Sequence, residues 1–440
     1  MFQVNVQTPA GTREIQTAID KAGNAGEPAE VAVQRGTYVV GTLQMRSNVT
    51  LKLEKGAVLE LSTDYADYAA VETLSEAERS RAAMLYAKDC VNISVTGKGE
   101  IYGNGAAWFA AEMDSMGYRK PHDVRPRPLV FEGCSNVHLS QFTVRESPMW
   151  TVHLVSCTNV DIDGISVDND MSMPNTDGLD IDSCANVVVE NCSLTQPDDG
   201  LCIKTSKKPS TLRQRCENVS ISNCVVKSLG SAFKIGTETF YDITDVSVSN
   251  SRFINATRAA SIFSRDGGKI TNVTVDHVTI SCVLSSPCHW GKAEPIFVSV
   301  RPRDPGVRPG AVDHVTLSDI SGTAEGAVNL ISEPAGLIEN AVLENIELTQ
   351  TVNETEYSEG QGCYDVRPPC NPENPTGMGL DNAYKMNPAT GLPHGVERYP
   401  GGLPCMFLKG AEPAKMSNVK FHRPSPLPEG WNTDQVLKVQ

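Results

Sequence analysis

Apolar and polar residues alternate over many short segments of the chain. Two examples are Val160-Asp-Ile-Asp-Gly-Ile-Ser-Val and Val273-Thr-Val-Asp-His-Val-Thr-Ile. Successive side chains of a strand point to opposite faces, so this period of two predicts strands with one buried face. Most segments end at Asn, Asp or Gly, which favour turns. The pattern therefore predicts many short strands and very little helix.

A four-residue unit, Cys-x-Asn-Val, precedes several of these segments. It begins at Cys134, Cys157, Cys184 and Cys216, so successive copies lie 23, 27 and 32 residues apart. A leucine-rich repeat or a propeller would show a different signature or a longer period. Short strands in coils of uneven length predict an all-β fold, a right-handed parallel β-helix with loops inserted at fixed corners.

The two ends of this predicted solenoid differ from its middle. Apolar residues at helical spacing, ending at Gly23, predict a short helix over residues 13–22 that caps the N-terminal end. Over residues 357–405 the repeat gives way to Pro- and Gly-rich sequence, which we interpret as either a lid near the site or a packed excursion. We expect one domain over residues 1–440, with its N-terminal cap in about residues 1–30.

Charge and hydropathy exclude several classes of partner. The chain has 38 basic and 53 acidic residues, a net charge of −15. Nucleic acids and anionic membranes bind basic surfaces, so neither is expected as a partner. No apolar run approaches the roughly 18 residues of a membrane span. The first residues lack the basic and apolar regions of a secretory signal, which favours a cytoplasmic protein or a mature or trimmed secreted or periplasmic form. We expect a monomer.

Cysteine usage indicates packing more than crosslinking. The thirteen cysteines include the four of the repeat unit, and a cysteine at one repeat position is best explained as a small apolar residue in a ladder. Cys282 with Cys288, and Cys363 with Cys370, are better disulfide candidates because a short loop separates each pair. No cysteine or histidine pattern has the spacing of a zinc site, and we expect neither a metal nor another cofactor.

Two acidic segments align residue for residue at an offset of 22. Residues 177–182, Asp-Gly-Leu-Asp-Ile-Asp, lie over residues 199–204, Asp-Gly-Leu-Cys-Ile-Lys. Residues one coil apart stack at the strand spacing of roughly 4.8 Å, which would bring Asp177 against Asp199 with Asp198 beside it. We expect no basic partner in the same column.

Crowded carboxylates suit the cleavage of a glycosidic bond. Like charges raise the pKa of at least one acid, and a protonated acid beside ionised carboxylates supplies a proton and a base. The alternatives are turn chemistry, since Asp-Gly often forms turns, and a calcium site. Neither a turn nor a calcium site requires two aligned acidic segments whose apolar residues also stack on one another. The hydrolase interpretation is therefore favoured.

The acidic segments also resemble a known family. Asn175-Thr-Asp-Gly-Leu-Asp180 and Gln196-Pro-Asp-Asp-Gly200 resemble the signature of glycoside hydrolase family 28, the polygalacturonase and rhamnogalacturonase family of the pectin lyase-like β-helix superfamily. Arg127-Pro-Leu-Val and the stretch 146–150 resemble its middle coils. The resemblance implies hydrolysis with inversion, in which Asp198 is the general acid and Asp177 and Asp199 activate the water.

The chain departs from that family at two substrate-binding motifs. The Gly-His-Gly of its polygalacturonases corresponds to residues 230–236, Gly-Ser-Ala-Phe-Lys-Ile-Gly, and the Arg-Ile-Lys that grips a galacturonate carboxylate falls on residues 261–263, Ser-Ile-Phe. Plain polygalacturonate should therefore be a poor substrate. The candidate substrate-binding residues are Asn175, Lys204, Lys234, Glu238 and Arg265.

The basic residues among these candidates are not equally strong. Lys234 should face outward one coil before Ser261, beside the acids, where it would supply a displaced cation. If so, its removal should hurt an acidic substrate more than a neutral one. For Lys204 and Arg265 a solvated surface charge is the simpler interpretation.

The function predicted from the sequence is hydrolysis of a pectin-like or related plant or microbial polysaccharide, or of its oligosaccharides. Two alternatives remain. A polysaccharide lyase would use a basic residue such as Lys234 to remove a proton, and a non-catalytic β-helix would only bind carbohydrate. A lyase releases an unsaturated sugar that absorbs in the ultraviolet, a hydrolase releases only reducing ends, and a binding protein releases neither.

Overall fold

The fold was analysed in a computed structural model, which describes residues 2–68, 73–75, 80–114, 117–285, 289–303, 306–367 and 385–439. The chain divides into two compact units. Unit 1 contains Met1–Pro197 and Lys208–Cys224, and unit 2 contains Asp198–Lys207 and Val225–Gln440. Within the described residues no helix is long and apolar enough to cross a bilayer.

The helical elements are α1 (Thr12–Gly23) and 3₁₀ turns at Tyr65–Tyr68, Gly105–Trp108 and Ser358–Gly362. The first twenty strands are β1 Phe2–Val6, β2 Ala29–Val33, β3 Gly36–Val40, β4 Leu43–Gln44, β5 Val49–Leu53, β6 Ala57–Leu61, β7 Ala83–Lys88, β8 Val91–Gly97, β9 Glu100–Tyr102, β10 Phe109–Met113, β11 Arg119–Pro121, β12 Arg127–Glu132, β13 Ser135–Ser140, β14 Thr143–Arg145, β15 Val152–Val155, β16 Thr158–Asp163, β17 Ser166–Asp168, β18 Leu179–Asp182, β19 Ala185–Glu190 and β20 Ser193–Gln196.

The later strands are β21 Leu201–Thr205, β22 Cys216–Ser222, β23 Val225–Ser228, β24 Ser231–Thr239, β25 Ile243–Ala256, β26 Arg258–Ser264, β27 Ile270–Cys282, β28 Glu294–Val300, β29 Val312–Ala324, β30 Val328–Ser332, β31 Ile338–Glu339, β32 Val342–Gln350, β33 Cys363–Asp365, β34 Val396–Arg398, β35 Met406–Lys409, β36 Lys415–His422 and β37 Val436–Val439.

Unit 1 is built from coils whose strands pair in parallel with the equivalent strands of the next coil. In one sheet β7, β12, β15 and β18 place Leu85, Leu129, Val152 and Leu179 in a single column, and all four side chains are fully buried. In a second sheet, β16 alternates buried and solvent-facing positions along its length. The predicted period of two and the predicted parallel β-helix are confirmed.

The N-terminal helix forms where the sequence predicted it. Helix α1 buries the apolar stripe of Ile15, Ala18, Ile19 and Ala22 and packs against β1 and β2. The Glu14 carboxylate accepts the main-chain N–H of Gly11 at 3.0 Å, which satisfies a donor at the start of the helix. The helix covers apolar residues of the first coil, as a terminal cap must.

The cysteines of the repeat unit are buried free thiols. The thiols of Cys134, Cys157 and Cys184 donate to main-chain carbonyls; that of Cys157, for example, donates to the carbonyl oxygen of Phe131 at 3.3 Å. The prediction of small residues in a ladder is confirmed. Cys288 and Cys370, the partners in the two candidate disulfides, lie outside the described residues.

The asparagine of the repeat unit has a role that the sequence did not reveal. Asn136, Asn159, Asn186 and Asn218 have φ angles of 53–56°, a left-handed conformation that asparagine tolerates better than most residues. Each side-chain amide donates to the amide oxygen of the asparagine one coil earlier, at 2.8–3.1 Å, beginning with Asn92. The same residue therefore bends the chain and links successive coils.

Unit 2 has the same type of architecture, with longer strands. Along β21, β24, β26 and β28, Ile203, Ile235, Ile262 and Val298 occupy one buried column. The other sheet pairs β25, β27, β29, β32 and β36 in parallel. The alternation predicted from Val273 onward lies in β27, where buried and solvent-facing positions alternate.

Part of the Pro- and Gly-rich segment, residues 368–384, lies outside the described residues; the rest packs on unit 2. Strands β33 and β34 form an antiparallel pair. Tyr364 and Tyr399 join a buried cluster with Phe263, Phe297 and Phe407. The ring centroids of Tyr364 and Tyr399 are 4.9 Å apart. The described part of the segment is thus a packed excursion, and it covers side chains of β26, β28 and β30.

Candidate active site

Asp198 and Asp199 immediately precede β21 in unit 2, and only 6% and 5% of their surfaces are exposed. Oδ1 of Asp198 accepts the main-chain N–H of Asp199 at 3.0 Å. The Ser228 hydroxyl donates to the main-chain oxygen of Asp198 at 2.6 Å. One carboxylate oxygen of each residue lies within 4.8 Å of the other. The structure therefore fixes two adjacent carboxylates at the start of a buried strand.

Gly230 allows the chain to pass close to these acids. A Cβ atom at Gly230 would lie 2.9 Å from the carbonyl carbon of Asp198 and 3.0 Å from the nitrogen of Asp199, too close for main-chain atoms. The next residue, Ser231, donates its main-chain N–H to Oδ1 of Asp199 at 3.0 Å. The stretch that departs from Gly-His-Gly thus contacts the acids through its main chain.

The expectation that the acids have no basic partner is wrong. Nζ of Lys234 forms an ion pair with Oδ2 of Asp199. Lys234 lies opposite Ser261 in the next strand, as predicted, and its side chain is 14% exposed. Burial alone would lower the pKa of Lys234, but the Asp199 carboxylate raises it above its ordinary value. Lys234 is therefore a charged ammonium held against one of the acids.

Lys204 is not the solvated surface charge that we expected. Its side chain is 3% exposed, because it lies in β21, and its Nζ is 3.9 Å from Oε2 of Glu238. The Glu238 side chain remains 31% exposed. Burial would raise the pKa of Glu238, but Lys204, Arg303 and Lys234 together lower it. Glu238 is therefore an ionised carboxylate among cations.

Arg303 belongs to the same group of charges and was missed in the sequence. Its Nε lies 3.0 Å from Oδ1 of Asp266, and its Nη2 donates to the main-chain oxygen of Thr237 at 2.7 Å. The side chain is 16% exposed. The available signal was the Arg-Pro-Arg sequence that follows β28, which we did not connect with the acids because it lies in a loop.

Arg265 was also expected to be a surface cation, and this is wrong because the packed excursion covers it. The residue is fully buried, its Nη1 donates to Oγ of Ser299 at 3.2 Å, and its guanidinium lies 5.0 Å from the Phe263 ring. Burial lowers its pKa well below the ordinary value. Ser261 and Phe263, at the positions of the missing Arg-Ile-Lys, are fully buried as well. This geometry suits a structural role for Arg265.

Unit 1 carries the remaining site candidates, just before β18. Asp177 is 3% exposed, and its main-chain oxygen accepts the N–H of Thr151 at 2.9 Å. Asn175 has a φ of 58°, and its side-chain oxygen accepts Nη2 of Arg125 at 3.1 Å. Arg125, which also donates to the main-chain oxygen of Pro174 at 3.2 Å, was missed in the sequence. It orients the Asn175 amide from a neighbouring loop.

A buried polar network in unit 1 stabilises the strands that precede this turn. Arg127 contacts Nδ1 of His153 at 2.7 Å, and Lys208 donates to Oδ1 of Asp182 at 2.7 Å. Burial would raise the pKa of Asp182, but Lys208 and His153 bring it below its ordinary range. His153 is fully buried. The network therefore stabilises the strands next to Asp177 and is not itself exposed to a ligand.

One exposed group in unit 2 has side chains of the type that ligate metals. A carboxylate oxygen of Asp276, a ring nitrogen of His277 and a carboxylate oxygen of Asp319 lie within 4.8 Å of one another. His277 and Asp276 already form a contact of 2.6 Å, and Ser318 donates to Asp276 at 2.7 Å. These contacts on an exposed strand explain why the three side chains lie together.

Comparison with known proteins agrees with the fold and identifies the family. A family model described as glycosyl hydrolases family 28 matches residues 25–363. The chain is 28% identical over 205 residues to a probable polygalacturonase of Vitis vinifera, covering 44% of this chain and 41% of that protein. It is 22% identical over 361 residues to an endo-polygalacturonase of Pectobacterium carotovorum subsp. carotovorum, covering 79% of this chain and 86% of that protein.

Solved structures show the same fold. The exopolygalacturonase of Thermotoga maritima superposes with a TM-score of 0.64 at 20% identity over 79% of this chain and 87% of that one. The polygalacturonase of Erwinia carotovora ssp. carotovora superposes with a TM-score of 0.65 at 20% identity, covering 79% and 92%. Both likenesses define a right-handed parallel β-helix.

The fold and the family match define the class: the chain belongs to glycosyl hydrolases family 28. The matched region spans about two fifths of the length of several curated relatives, at 41% for the Vitis protein and 43% for a probable polygalacturonase of Arabidopsis thaliana.

Proposed function

We propose that the protein hydrolyses O-glycosyl bonds in a pectin-like polysaccharide or its oligosaccharides, with inversion at the anomeric carbon. Asp198 donates a proton to the leaving oxygen, and Asp177 and Asp199 take a proton from the attacking water. The family match supports the reaction class. The observation that carries the proposal is the fixed acid pair, in which Asp199 is held by Lys234 and by the N–H of Ser231.

The surroundings of the two adjacent acids suit these different roles. Asp199 receives an ammonium on one oxygen and a main-chain N–H on the other, so its orientation and its charge are both supported. Asp198 accepts the N–H of Asp199 on one oxygen. An acid–base hydrolysis uses a proton donor and a base.

The role of Asp177 rests on the resemblance of residues 175–180 to the signature of the family. Its turn is held in unit 1 by the bond from Thr151, and Asn175 is held by Arg125. The substrate-binding candidates that remain in the proposal are Asn175, Lys204, Lys234 and Glu238. Lys204 and Lys234 act there mainly by balancing the acidic residues.

The lyase alternative is disfavoured by the state of Lys234. A lyase base must be a neutral amine when it removes the proton, whereas the Asp199 carboxylate, acting against burial, raises the pKa of Lys234. A raised pKa keeps the amine protonated over the neutral range. We therefore expect reducing ends without an ultraviolet-absorbing product.

The acid assignment is tested by the variant Asp198→Asn. General acid catalysis contributes roughly 10² to 10⁴ in rate, so this variant should lose at least about 10² in kcat on pectic oligosaccharides. The fold should survive, because the amide can still accept the N–H of Asp199. Reducing-end release is measured beside a circular dichroism melt, and near-wild-type turnover would reject the role.

A further inference from the structure

Charge balance beside the acids points to the class of sugar that binds there. We propose that this part of unit 2 binds a neutral glycosyl unit whose hydroxyl groups are recognised by Glu238 and Arg303, and that Glu238 disfavours a uronate. The inference rests on the proposed function and deepens it by naming the substrate class.

The cations near the acids are already compensated. Lys234 pairs with Asp199, Lys204 lies 3.9 Å from Glu238, and Arg303 lies 3.0 Å from Asp266. Three positive charges thus face three negative charges, with Asp198 as a further acid. A sugar carboxylate arriving here would have to displace one of these anions, so the group offers no net attraction for it.

The most exposed charge in this group is negative. The Glu238 side chain is 31% exposed, whereas those of Arg303 and Lys234 are 16% and 14% exposed. A ligand therefore meets a carboxylate first. Two like charges repel, and Glu238 is kept ionised because Lys204, Arg303 and Lys234 overcome the effect of its burial on the pKa.

Glu238 and Arg303 together match the chemistry of neutral sugar hydroxyls. A carboxylate accepts O–H donors, and a guanidinium donates N–H groups, while each hydroxyl both donates and accepts. Arg303 is held near Glu238, because its guanidinium donates to the main-chain oxygen of Thr237, the residue before Glu238, at 2.7 Å. Asp266 fixes the orientation of the guanidinium from the other side.

The experiment compares Glu238→Gln with the wild type on pairs of pectic oligosaccharides that carry a neutral sugar or a galacturonate next to the cleaved bond. The amide keeps the shape of the side chain and removes its charge. A hydrogen bond to a charged group is worth roughly 10- to 100-fold in affinity or rate, so the preference for the neutral sugar in kcat/KM should shrink by about that factor. The matched control is Glu412→Gln, which removes a 66%-exposed carboxylate from unit 2 and should leave the preference unchanged.

A binding measurement separates failure of this inference from failure of the proposed function. Calorimetric titration of the Asp198→Asn variant with the same oligosaccharides should show tighter binding of the neutral sugar, and the double variant with Glu238→Gln should lose that difference. Wild-type preference for the uronate, an unchanged ratio in Glu238→Gln, or no binding of either ligand would each overturn the inference. Absence of sugar release together with selective binding would reject only the hydrolase function. Circular dichroism melts of the variants verify that each is folded.

Discussion

The outward face of one sheet in unit 2 changes character along its length. At β24 it carries Lys234, which pairs with Asp199 just before β21, and the two side chains are 14% and 7% exposed. At β26 and β28 the packed excursion covers it, and Asp365 forms an ion pair with Arg367 in which neither side chain is exposed. The pair of Lys234 and Asp199 therefore lies at a partly exposed surface, whereas the pair of Arg367 and Asp365 is fully buried.

The two regions differ in how far their charged side chains are buried. Asp365 receives Arg258 at 3.1 Å, Arg367 at 2.8 Å and the N–H of Gly291 at 2.7 Å, and none of its side-chain surface is exposed. Those bonds attach the excursion to the coils. At the open end the charges keep some contact with solvent, so a ligand can compete for them. We expect changes in the covered region to affect stability, and changes in the open region to affect catalysis.

The largest effect on stability is expected for Asp365→Asn. Loss of this carboxylate breaks the buried pairs with Arg367 and Arg258, of which Arg258 keeps Glu294 at 3.7 Å. Breaking a buried pair costs about 3–5 kcal/mol. Denaturant unfolding of Asp365→Asn should show that loss in the free energy of unfolding. The control Glu412→Gln breaks an exposed pair with Lys438 and should change the free energy by no more than about 1 kcal/mol. Equal effects of the two variants would remove the distinction between the regions.

A smaller effect, on catalysis, is expected for Lys234→Met. The variant removes the ammonium that holds Asp199, a charge-assisted contact worth roughly 10- to 100-fold, so kcat should fall by about that factor on acidic and neutral substrates alike. This differs from the effect predicted from sequence, which was greater on acidic substrates, because the structure pairs Lys234 with Asp199. Lys234→Arg should recover part of the rate. A loss confined to acidic substrates would instead show that Lys234 binds a substrate carboxylate.

A pH-dependent effect, a loss of stability in acid, originates in the covered region. Burial, with Lys292 and Arg367 nearby, lowers the pKa of His289 to about 3 from an ordinary value of 6.5. The unfolded chain therefore binds more protons than the folded chain between these values, and stability falls as the pH decreases through the window. The slope approaches about 1.4 kcal/mol per pH unit for one proton.

Two carboxylates modify this dependence. The pKa of Asp365 is lowered, since Arg367 and Arg258 outweigh its burial, so its contribution to stability is lost below about pH 4. Burial raises the pKa of Glu294, which acts in the opposite direction. Thermal melts from pH 7 to 4 should show a shallower decline for His289→Asn than for the wild type. Identical declines would show that His289 is not responsible.

The repeat made most of the fold predictable. The Cys-x-Asn-Val unit marks the same corner of several coils, and its cysteine, its asparagine and the alternating strand that follows are all local in sequence. The helix α1 is predictable for the same reason, since its apolar stripe and Gly23 lie within one segment. The alternation of apolar and polar residues shows which face of a strand is buried. Once the coils are aligned, residues at equivalent positions are expected to stack in parallel strands.

The pairing of the charged side chains was less predictable. Lys234 could be placed near the acids by its position, but its bond to Asp199 depends on side-chain geometry. Arg303 and Arg125 come from loops, where no period relates one coil to the next. Arg265 is buried by residues about a hundred positions later in the chain, as its contact with Val366 shows. The residues around Arg265 in the sequence do not show that a segment so far along the chain packs over it.

Hydrolysis with inversion is the reaction that we propose for Asp177, Asp198 and Asp199. It is tested most directly by proton NMR of the first product released by the wild-type protein from a pectic oligosaccharide of known linkage, recorded before the anomers equilibrate. We predict that the new reducing end first appears with the anomeric configuration opposite to that of the cleaved bond. Initial appearance of the retained anomer, or of an unsaturated product, would contradict it.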